Sequence, residues 1–473
     1  MRRFLTCVFA LAILAFGAGT ATAGPLRTGV LDPDASATQK PVLMMHSDLA
    51  SQRVADSGGS LVRLYAFWNR IAPTKPANPR DPSTYGAGWA ELNRQISDAH
   101  AAGLDVMLTL RSAPMWAQGS AGANAEGSYK PSPADFADFA HAIATRFNGQ
   151  VRYWGMWNEP NLPHFLRPQY ATVHGKRTMV SAGWYRRLLN AGAKAVHAVN
   201  SNNVVVGGET APFGHSSNPS PKTFLRKLLC VSKSGAPTCK TKIEADIWAT
   251  HPYTSGDPWH HAFSSNDISF GDLGEWQSLV RAASRAGHFV NPGGSVRKSI
   301  RFWDTEMSWD TKPPDPAAVP LKLHARWTAE ALYRTWVFGI EALIWLQLRD
   351  YPHKYFYESG LYFYENSQTQ VNKPKLSQRA FRFPFVAYAS GGRVKVWGRT
   401  PESDSRAIHI QRKTSAGWTT IHNLHSGSKG IFVSSWASSD RTHRYRALIP
   451  GIAKSVSFSL HRPADRFVNP FGS

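Results

Sequence analysis

Residues 153–161 read YWGMWNEPN. Aromatic and apolar residues, typical of a strand that is buried on both faces, run directly into Asn158, Glu159 and Pro160. Proline has no amide hydrogen to donate to a sheet, so the strand must end at this point. An amide and a carboxylate therefore stand at the carboxyl end of a buried strand. This is the end of a parallel strand at which sites form in closed barrels, so the stretch indicates both a fold and a site.

Seven further apolar runs have the length of a strand, and segments with helical spacing separate them. We predict strands at residues 42–47, 61–68, 105–111, 151–157, 203–208, 245–253, 300–309 and 341–348. One intervening helix is predicted to begin at Pro133, with Ser132 as its N-cap. The fold class is therefore α/β, a (β/α)8 TIM barrel spanning residues 24–380. An open doubly wound sheet is the alternative, but no glycine-rich phosphate loop follows the first predicted strand.

The pattern changes near residue 381. Short alternating strands, separated by turn residues, are predicted at residues 393–400, 407–413, 417–424, 430–435, 444–449 and 455–460. Their spacing predicts a small C-terminal β-sandwich domain over residues 381–473. Such a domain either binds a ligand of its own or supports the barrel.

The first 23 residues have the features of a signal peptide. Arg2 and Arg3 form a basic start, residues 5–16 are apolar, and Ala23 completes a small-x-small cleavage site. A membrane anchor is the alternative, but the apolar run is short for a bilayer. We therefore expect a secreted protein without stable membrane insertion. In an exported chain, Cys230 and Cys239 are expected to form a disulfide bond.

The chain is strongly basic, with a formal net charge of +22. Such a charge favours acidic partners. We find no nucleic-acid-binding motif and no basic helix, so nucleic acid is not an expected partner. Anionic cell-surface glycans suit an exported protein better, and a purely solubilising role of the charge is the other interpretation.

Polar and aromatic residues collect at the predicted carboxyl ends of the strands. They include Arg63, Trp68, Trp116, Asn158, Glu159, Glu209, His251, Tyr253, Glu306, Trp309 and Trp345. The histidines lack the partners of a metal cluster and no nucleophile elbow is present, so we predict no metal and no cofactor. Paired carboxylates remain, which is the requirement for cleaving a glycosidic bond. Strands four and seven lie nearly opposite in an eight-stranded ring, so Glu159 pairs better with Glu306 than with Glu209.

These motifs resemble those of clan A retaining glycoside hydrolases, in particular family 39 or the family 5 cellulases. The similar segments are WNEP at 157–160, HPY at 251–253 and WDTE at 303–306, together with Arg63 on strand two and Trp345 on strand eight. The resemblance implies that Glu159 is the general acid/base and Glu306 the nucleophile. It also implies that Asn158 binds the sugar 2-hydroxyl and that Tyr253 donates a hydrogen bond to the nucleophile.

From these residues we expect a secreted retaining enzyme that hydrolyses a β-linked oligosaccharide or polysaccharide by double displacement. The residues predicted to bind substrate are Arg63, Trp68, Trp116, Asn158, His251, Tyr253, Trp309 and Trp345, the tryptophans by stacking on sugar rings. Two alternatives remain open. One is a non-catalytic glycan-binding protein on a decayed barrel, and the other is a cell-wall transglycosylase that uses the same two glutamates.

Overall fold

Eight parallel strands close into a barrel in the computed structural model, which describes residues 26–31, 47–351, 357–364 and 373–468. In chain order, β1 to β8 are Arg27–Leu31, Leu61–Phe67, Asp105–Arg111, Tyr153–Met156, Val204–Thr210, Ile247–Thr250, Arg301–Met307 and Ala342–Leu346. Each strand pairs with the next along the chain, and β8 pairs with β1. The predicted (β/α)8 TIM barrel is confirmed.

Helices lie between successive strands. They are α1 Ser47–Asp56, α2 Trp68–Ile71, α3 Ala90–Ala101, α4 Pro133–Arg146, α5 Ser181–Val199, α6 Pro221–Leu229, α7 Leu273–Arg285, α8 Leu321–Val337 and α9 Leu376–Arg382. In α4 the Ser132 hydroxyl accepts a hydrogen bond from the Asp135 amide, as the capping pattern predicts. Its Phe136 and Phe139 are fully buried. Apolar stripes of this kind cover the outer face of the barrel strands, which is why the strands are buried on both faces.

The predicted first strand, at residues 42–47, was wrong. Strand β1 is Arg27–Leu31, and Ser47 begins α1. Residues 42–46 and the predicted signal segment at 1–23 lie outside the described residues. The segment RTGVL has only five residues and a weaker apolar signal than VLMMHS. Its place is decided by pairing with β8 on one side and β2 on the other, which closes the barrel.

Antiparallel sheets follow the barrel. Their strands are β9 Phe385–Ser390, β10 Arg393–Arg399, β11 Ala407–Thr414, β12 Gly417–His425, β13 Ile431–Ala437, β14 Arg444–Ile449, β15 Ala453–Lys454 and β16 Phe458–Ser459. One sheet has the order β9-β10-β13, and the other contains β12, β11, β14 and the two short strands. They resemble the predicted β-sandwich. The prediction missed β9, which directly follows Pro384.

Buried hydrogen bonds join these sheets to the barrel. Arg399 on β10 is fully buried and donates to the Leu26 carbonyl at 3.0 Å and to the Thr28 hydroxyl at 3.1 Å beside β1. In a second contact, Tyr388 of β9 donates to Glu330 of α8 at 3.3 Å. The C-terminal sheets therefore contact both ends of the barrel sequence.

The predicted disulfide bond between Cys230 and Cys239 is present. It closes a short loop after α6. None of the helices in the described part of the chain has the length and hydropathy that crossing a bilayer requires.

Candidate active site

A sharp backbone turn at the end of β4 positions Asn158 and Glu159. The φ angles are 77° at Trp157 and 36° at Glu159, in the left-handed region that non-glycine residues rarely adopt. Each such residue costs roughly 1–3 kcal/mol, so the surroundings must hold the turn. The Glu159 amide does so by donating to the Glu209 carbonyl at 3.0 Å. The turn directs both side chains towards the mouth of the barrel.

Irregular strand pairing positions two further carboxylates. Glu209 lies where the pairing of β5 with β6 shifts register, and Glu306 lies where that of β7 with β8 does. Such bulges change the direction of a side chain. Before Glu209, Gly208 has a φ of 97°, and a Cβ there would lie 2.5 Å from the Ala249 carbonyl oxygen. Only glycine fits this position, so the sequence itself builds the bulge.

His251 lies between the two predicted catalytic acids. Its Nδ1 is 2.9 Å from Oε1 of Glu159 and 3.7 Å from Oε2 of Glu306. The imidazole nitrogen and one oxygen from each carboxylate all lie within 4.8 Å of one another. The Glu159 and Glu306 side chains are each 12% exposed. The structure thus brings together the two acids that the sequence pairs across the barrel.

Three donors surround the Glu306 carboxylate. Tyr253 donates to Oε1 at 2.9 Å, while Arg63 at 3.0 Å and Tyr65 at 3.3 Å donate to Oε2. Burial by itself would raise the pKa of Glu306. The positive charges of His251 and Arg63 and the hydrogen bonds outweigh burial, so the pKa lies below its ordinary value. Glu306 is therefore the acid that stays ionised.

The pKa of Glu159 shifts in the opposite direction. Burial has the largest effect and raises this pKa, and the hydrogen bond and charge of His251 oppose it only in part. The negative charge of Glu306 adds to the rise. Two carboxyl groups in one site thus have pKa values moved apart, which is the arrangement that separates a proton donor from an ionised partner.

Arg63 connects three of these side chains, namely Asn158, Glu209 and Glu306. Its Nη2 lies 2.8 Å from both the Asn158 Oδ1 and the Glu209 Oε1. Arg63 and Glu209 are both completely buried. Burial raises the pKa of Glu209, and Arg63 opposes that rise. Gly155 of β4 leaves the room for this pair, since a Cβ there would lie 3.0 Å from Glu209 Oε2.

The same contacts orient the Asn158 amide. Its Oδ1 accepts from Arg63 at 2.8 Å and from Tyr65 at 3.4 Å. Because both neighbours are donors, the oxygen must face them. The NH2 group then points away from them, and Asn158 lines the open cavity above the site. It is positioned to donate a hydrogen bond to a ligand.

A cavity of about 400 Å3 opens above the two acids. Its walls include Tyr65, Arg111, Asn158, Glu159, His164, Phe165, Phe213, Tyr253, Glu306, Leu346, Tyr351 and Tyr357. A neighbouring cavity of about 300 Å3 shares Phe213 and Tyr253 with it. Another neighbouring cavity of about 300 Å3 shares Tyr65 with the cavity above the two acids. Aromatic walls with a few convergent polar groups are typical of a ligand site.

Comparison with known families shows the family of the chain. The model of the family described as cellulase (glycosyl hydrolase family 5) matches residues 39–286, more than half of the 473-residue chain. The chain belongs to this family. It is therefore a glycoside hydrolase of clan A, in agreement with the resemblance of its motifs. A comparison with curated proteins gave no match.

Two solved structures are similar to this glycoside hydrolase. A family 39 glycoside hydrolase from the gut symbiont Bacteroides cellulosilyticus WH2 is 14% identical with a TM-score of 0.52, over 90% of this chain and 81% of that chain. A glucosidase from Croceicoccus marinus is 13% identical with a TM-score of 0.49, over 88% of this chain and 94% of that chain. At 14% identity the likeness to the family 39 enzyme shows a common fold alone.

The tryptophans predicted to bind substrate lie outside the cavity of this hydrolase. Trp68, Trp309 and Trp345 are fully buried. The indole nitrogens of Trp309 and Trp345 donate to backbone carbonyls at 3.0 and 2.8 Å. Trp116 is half-buried and packs edge-on against Trp68. Trp68, Trp309 and Trp345 therefore cannot stack on a sugar in this conformation, and Trp116 does not line the cavity. Leu346, next to Trp345, faces the cavity instead.

Glu159, His251 and Glu306 are also the group of described residues whose spacing could hold a metal ion. Arg63, however, already places a positive charge 3.0 Å from Glu306. A metal ion would have to bind against that charge. The arrangement therefore suits acid–base chemistry better than metal binding.

Several wall residues were not among the predicted site residues. Tyr65 had a signal, because it stands two positions after Arg63 and strand residues two apart share a face. Arg111 ends β3, where barrel sites form. Phe213, Tyr351 and Tyr357 lie on loops after the strands, and no periodicity marks loop residues as part of a wall.

Proposed function

We propose that this glycoside hydrolase is a retaining enzyme that cleaves β-linked glycans by double displacement. The observation that carries the proposal is the separation of its two acids, whose facing atoms lie within 4.8 Å. Retaining enzymes keep their carboxyl groups about 5–5.5 Å apart, whereas inverting enzymes need about 6.5–9.5 Å to accommodate a water. The short separation favours direct attack by a carboxylate.

Glu306 is the proposed nucleophile. It is the acid whose pKa is lowered, and Tyr253 and Arg63 fix both of its oxygens. One oxygen attacks the anomeric carbon as the glycosidic bond breaks, which gives a covalent glycosyl-enzyme. The same donors stabilise the carboxylate when the intermediate is later released.

Glu159 is the proposed general acid and base. Its raised pKa keeps the proton that the leaving oxygen needs. Once ionised, it accepts the hydrogen bond that His251 offers at 2.9 Å. In the second step it takes a proton from the water that attacks the intermediate, and the original protonation state is restored.

The substrate ring is proposed to lie between Asn158 and the aromatic walls. The Asn158 amide donates to the 2-hydroxyl, a contact that strengthens at the transition state. Tyr357 and Phe213, on two different loops, present rings to the cavity and replace the predicted tryptophans as surfaces for sugar C–H groups.

Export from the cell is part of the proposal. The disulfide bond between Cys230 and Cys239 suits an oxidising compartment. The basic, apolar and small-residue pattern of residues 1–23 supports a cleaved signal. Mass spectrometry of protein from culture medium should find Gly24 as the first residue, and a chain that stays inside the cell would contradict this part.

The catalytic proposal is tested with aryl β-glycosides and a panel of β-linked polysaccharides. We expect wild type to release products that keep the β configuration in NMR spectra recorded during turnover. Glu306→Gln should be inactive. Glu159→Ala should lose about 100- to 10,000-fold on substrates with poor leaving groups and much less on dinitrophenyl glycosides, which need no general acid.

Glu341→Gln is the matched control, since Glu341 lies at the opposite end of the barrel beside Arg301. It should retain wild-type rates. An inverted product would overturn the retaining mechanism. Products longer than the substrate would favour the transglycosylase alternative, and binding of glycans without any cleavage would favour the non-catalytic one.

A further inference from the structure

Arg111 places a positive charge in the wall of the active-site cavity without a carboxylate bonded to it. It lines the same cavity as Glu159 and Glu306. Its Nε donates to the Ser112 hydroxyl at 3.3 Å. Within the described ranges, no salt bridge includes Arg111 and its other N–H groups have no hydrogen-bond acceptor. Arg63, by contrast, is paired with two carboxylates.

Three aromatic rings hold the Arg111 guanidinium in place. Its central carbon lies 4.6 Å from the centre of the Phe165 ring, 4.9 Å from that of Tyr65 and 5.2 Å from that of Phe67. Such contacts stabilise a cation by less than the removal of its charge from water costs. The rings fix the position of the guanidinium without neutralising it. Burial lowers the pKa of Arg111, yet arginine remains protonated in proteins.

A second arginine continues this positive surface away from the acids. Arg70 packs on the same Phe67 ring at 4.1 Å. Both Arg70 and Phe67 line the neighbouring cavity, which shares Tyr65 with the active-site cavity. The positive charges therefore follow a path from the reacting centre into the adjoining cavity. The net charge of +22 on the whole chain extends the same attraction to larger anions.

We propose that the substrate of this enzyme carries a uronic acid, whose carboxylate is bound by the Arg111 guanidinium through two parallel hydrogen bonds. This inference rests on the proposed function of the site. A planar guanidinium with free donors matches a carboxylate in shape as well as in charge. Arg111 is half-buried, and a neutral hydroxymethyl group at the same place would leave its guanidinium without a charged acceptor, so the site discriminates against neutral sugars.

The test uses substrates that differ only in this group. Kinetics are measured on nitrophenyl β-D-glucuronide and β-D-galacturonide and on the matching glucoside and galactoside. Binding to the inactive Glu306→Gln enzyme is measured on uronic acid polysaccharides and on the same polymers after reduction of their carboxyl groups. We expect wild type to prefer the acidic member of a pair, in kcat/KM or in affinity.

Arg111→Gln should lower that preference by about 30-fold, which is the effect of removing one partner from a hydrogen bond between charged groups. Arg111→Lys keeps the charge but loses the planar pair of donors, so its preference for acidic substrates should be intermediate. Arg152→Gln, at the other end of β4 on an exposed side chain, is the control and should keep the wild-type ratio. Melting temperatures of all variants report whether they fold.

Each outcome decides the inference. If wild type cleaves neutral glycosides as well as acidic ones, or if Arg111→Gln keeps the preference, the inference is wrong while the hydrolase proposal stands. If no glycoside of either kind is cleaved, the proposed function itself fails. A preference for 6-sulfated over uronic acid substrates would identify a sulfate ester as the anion and overturn the uronate assignment.

Discussion

The Nη2 atom of Arg63 lies 2.8 Å from Oε1 of Glu209 in a salt bridge with both side chains fully buried. The same guanidinium donates to Glu306 from Nη1 at 3.0 Å. Glu209 therefore fixes the position of Arg63. The positive charge of Arg63 is shared between Glu209 and Glu306. Glu209 acts through Arg63 rather than on a substrate, since it does not line the active-site cavity.

Replacing Glu209 should change the pH dependence of catalysis. In Glu209→Gln the charge of Arg63 is no longer shared with Glu209, so the pKa of Glu306 falls further. The acidic limb of the kcat/KM profile should then move to lower pH. Glu209→Ala should also lose about 3–5 kcal/mol of stability, because a buried charge loses its partner. A Glu209→Gln limb that stays in place or moves to higher pH would contradict a charge-sharing role.

His251 should set both limbs of the pH profile. Its charge lowers the pKa of Glu159 and of Glu306, so its removal raises both. Activity requires Glu306 ionised and Glu159 protonated. His251→Asn keeps a hydrogen-bond donor but not the charge. Both limbs of its kcat/KM profile should therefore move to higher pH. Tyr253→Phe is the matched comparison. Its hydroxyl donates to Glu306, so its loss should move mainly the acidic limb upwards.

Stability at alkaline pH should depend on His197. Its ring nitrogens contact Glu244 at 2.6 Å and Asp246 at 3.2 Å. Burial opposes protonation, but the hydrogen bonds to these two acids outweigh it and raise the pKa of His197 to about 9. The unfolded value is about 6.5. The protonated ring thus stabilises the fold fully below about pH 6.5, and this contribution is lost as pH rises to about 9.

Melting curves between pH 6 and 9.5 measure this effect. His197→Gln should have a lower melting temperature at pH 6 and a flatter decline towards pH 9.5 than wild type. His100→Gln, on the exposed end of α3, is the control and should follow wild type. Parallel pH curves for wild type and His197→Gln would show that the ring does not gain a proton on folding.

The chain beyond β16 should support substrate binding. Arg462 pairs with Asp257 at 2.8 Å, and Asp465 accepts from the His260 ring at 2.7 Å. Asp257 and His260 lie on the loop after β6, which forms the cavity that shares Tyr253 with the active site. A chain that ends at residue 460 should therefore have a raised KM with a smaller change in kcat. A chain that ends at residue 468 is the control. Equal KM values for the chains that end at residues 460 and 468 would exclude a role of this segment in substrate binding.

Much of the barrel and its acid pair could be predicted from the sequence. Seven of the eight strands stand out as apolar runs, and closure of the ring brings the ends of β4 and β7 together whatever the loops do. The charged and polar partners Arg63, Asn158 and Tyr253 followed from their places at strand ends. Strand β1 was missed because a short segment with little apolar signal takes its place only through pairing at both of its edges.

The aromatic residues show where prediction fails. A tryptophan at a strand end packs equally well in the protein core or in a cavity wall. A shift of one position along the strand decides which residue faces the cavity. Trp345 is buried while the neighbouring Leu346 lines the cavity. The cavity walls come instead from loop residues such as Phe213 and Tyr357. Their side-chain directions depend on loop conformations, which no periodic pattern encodes.

The identity of the nucleophile is tested most directly by trapping the glycosyl-enzyme. A 2-deoxy-2-fluoro glycosyl fluoride of the preferred sugar should inactivate the enzyme and add one fluorosugar to its mass. Peptide mapping should find that sugar on Glu306, and Glu306→Gln should take up none. A label on Glu159 or Glu209, or an inverted product without any adduct, would contradict the account.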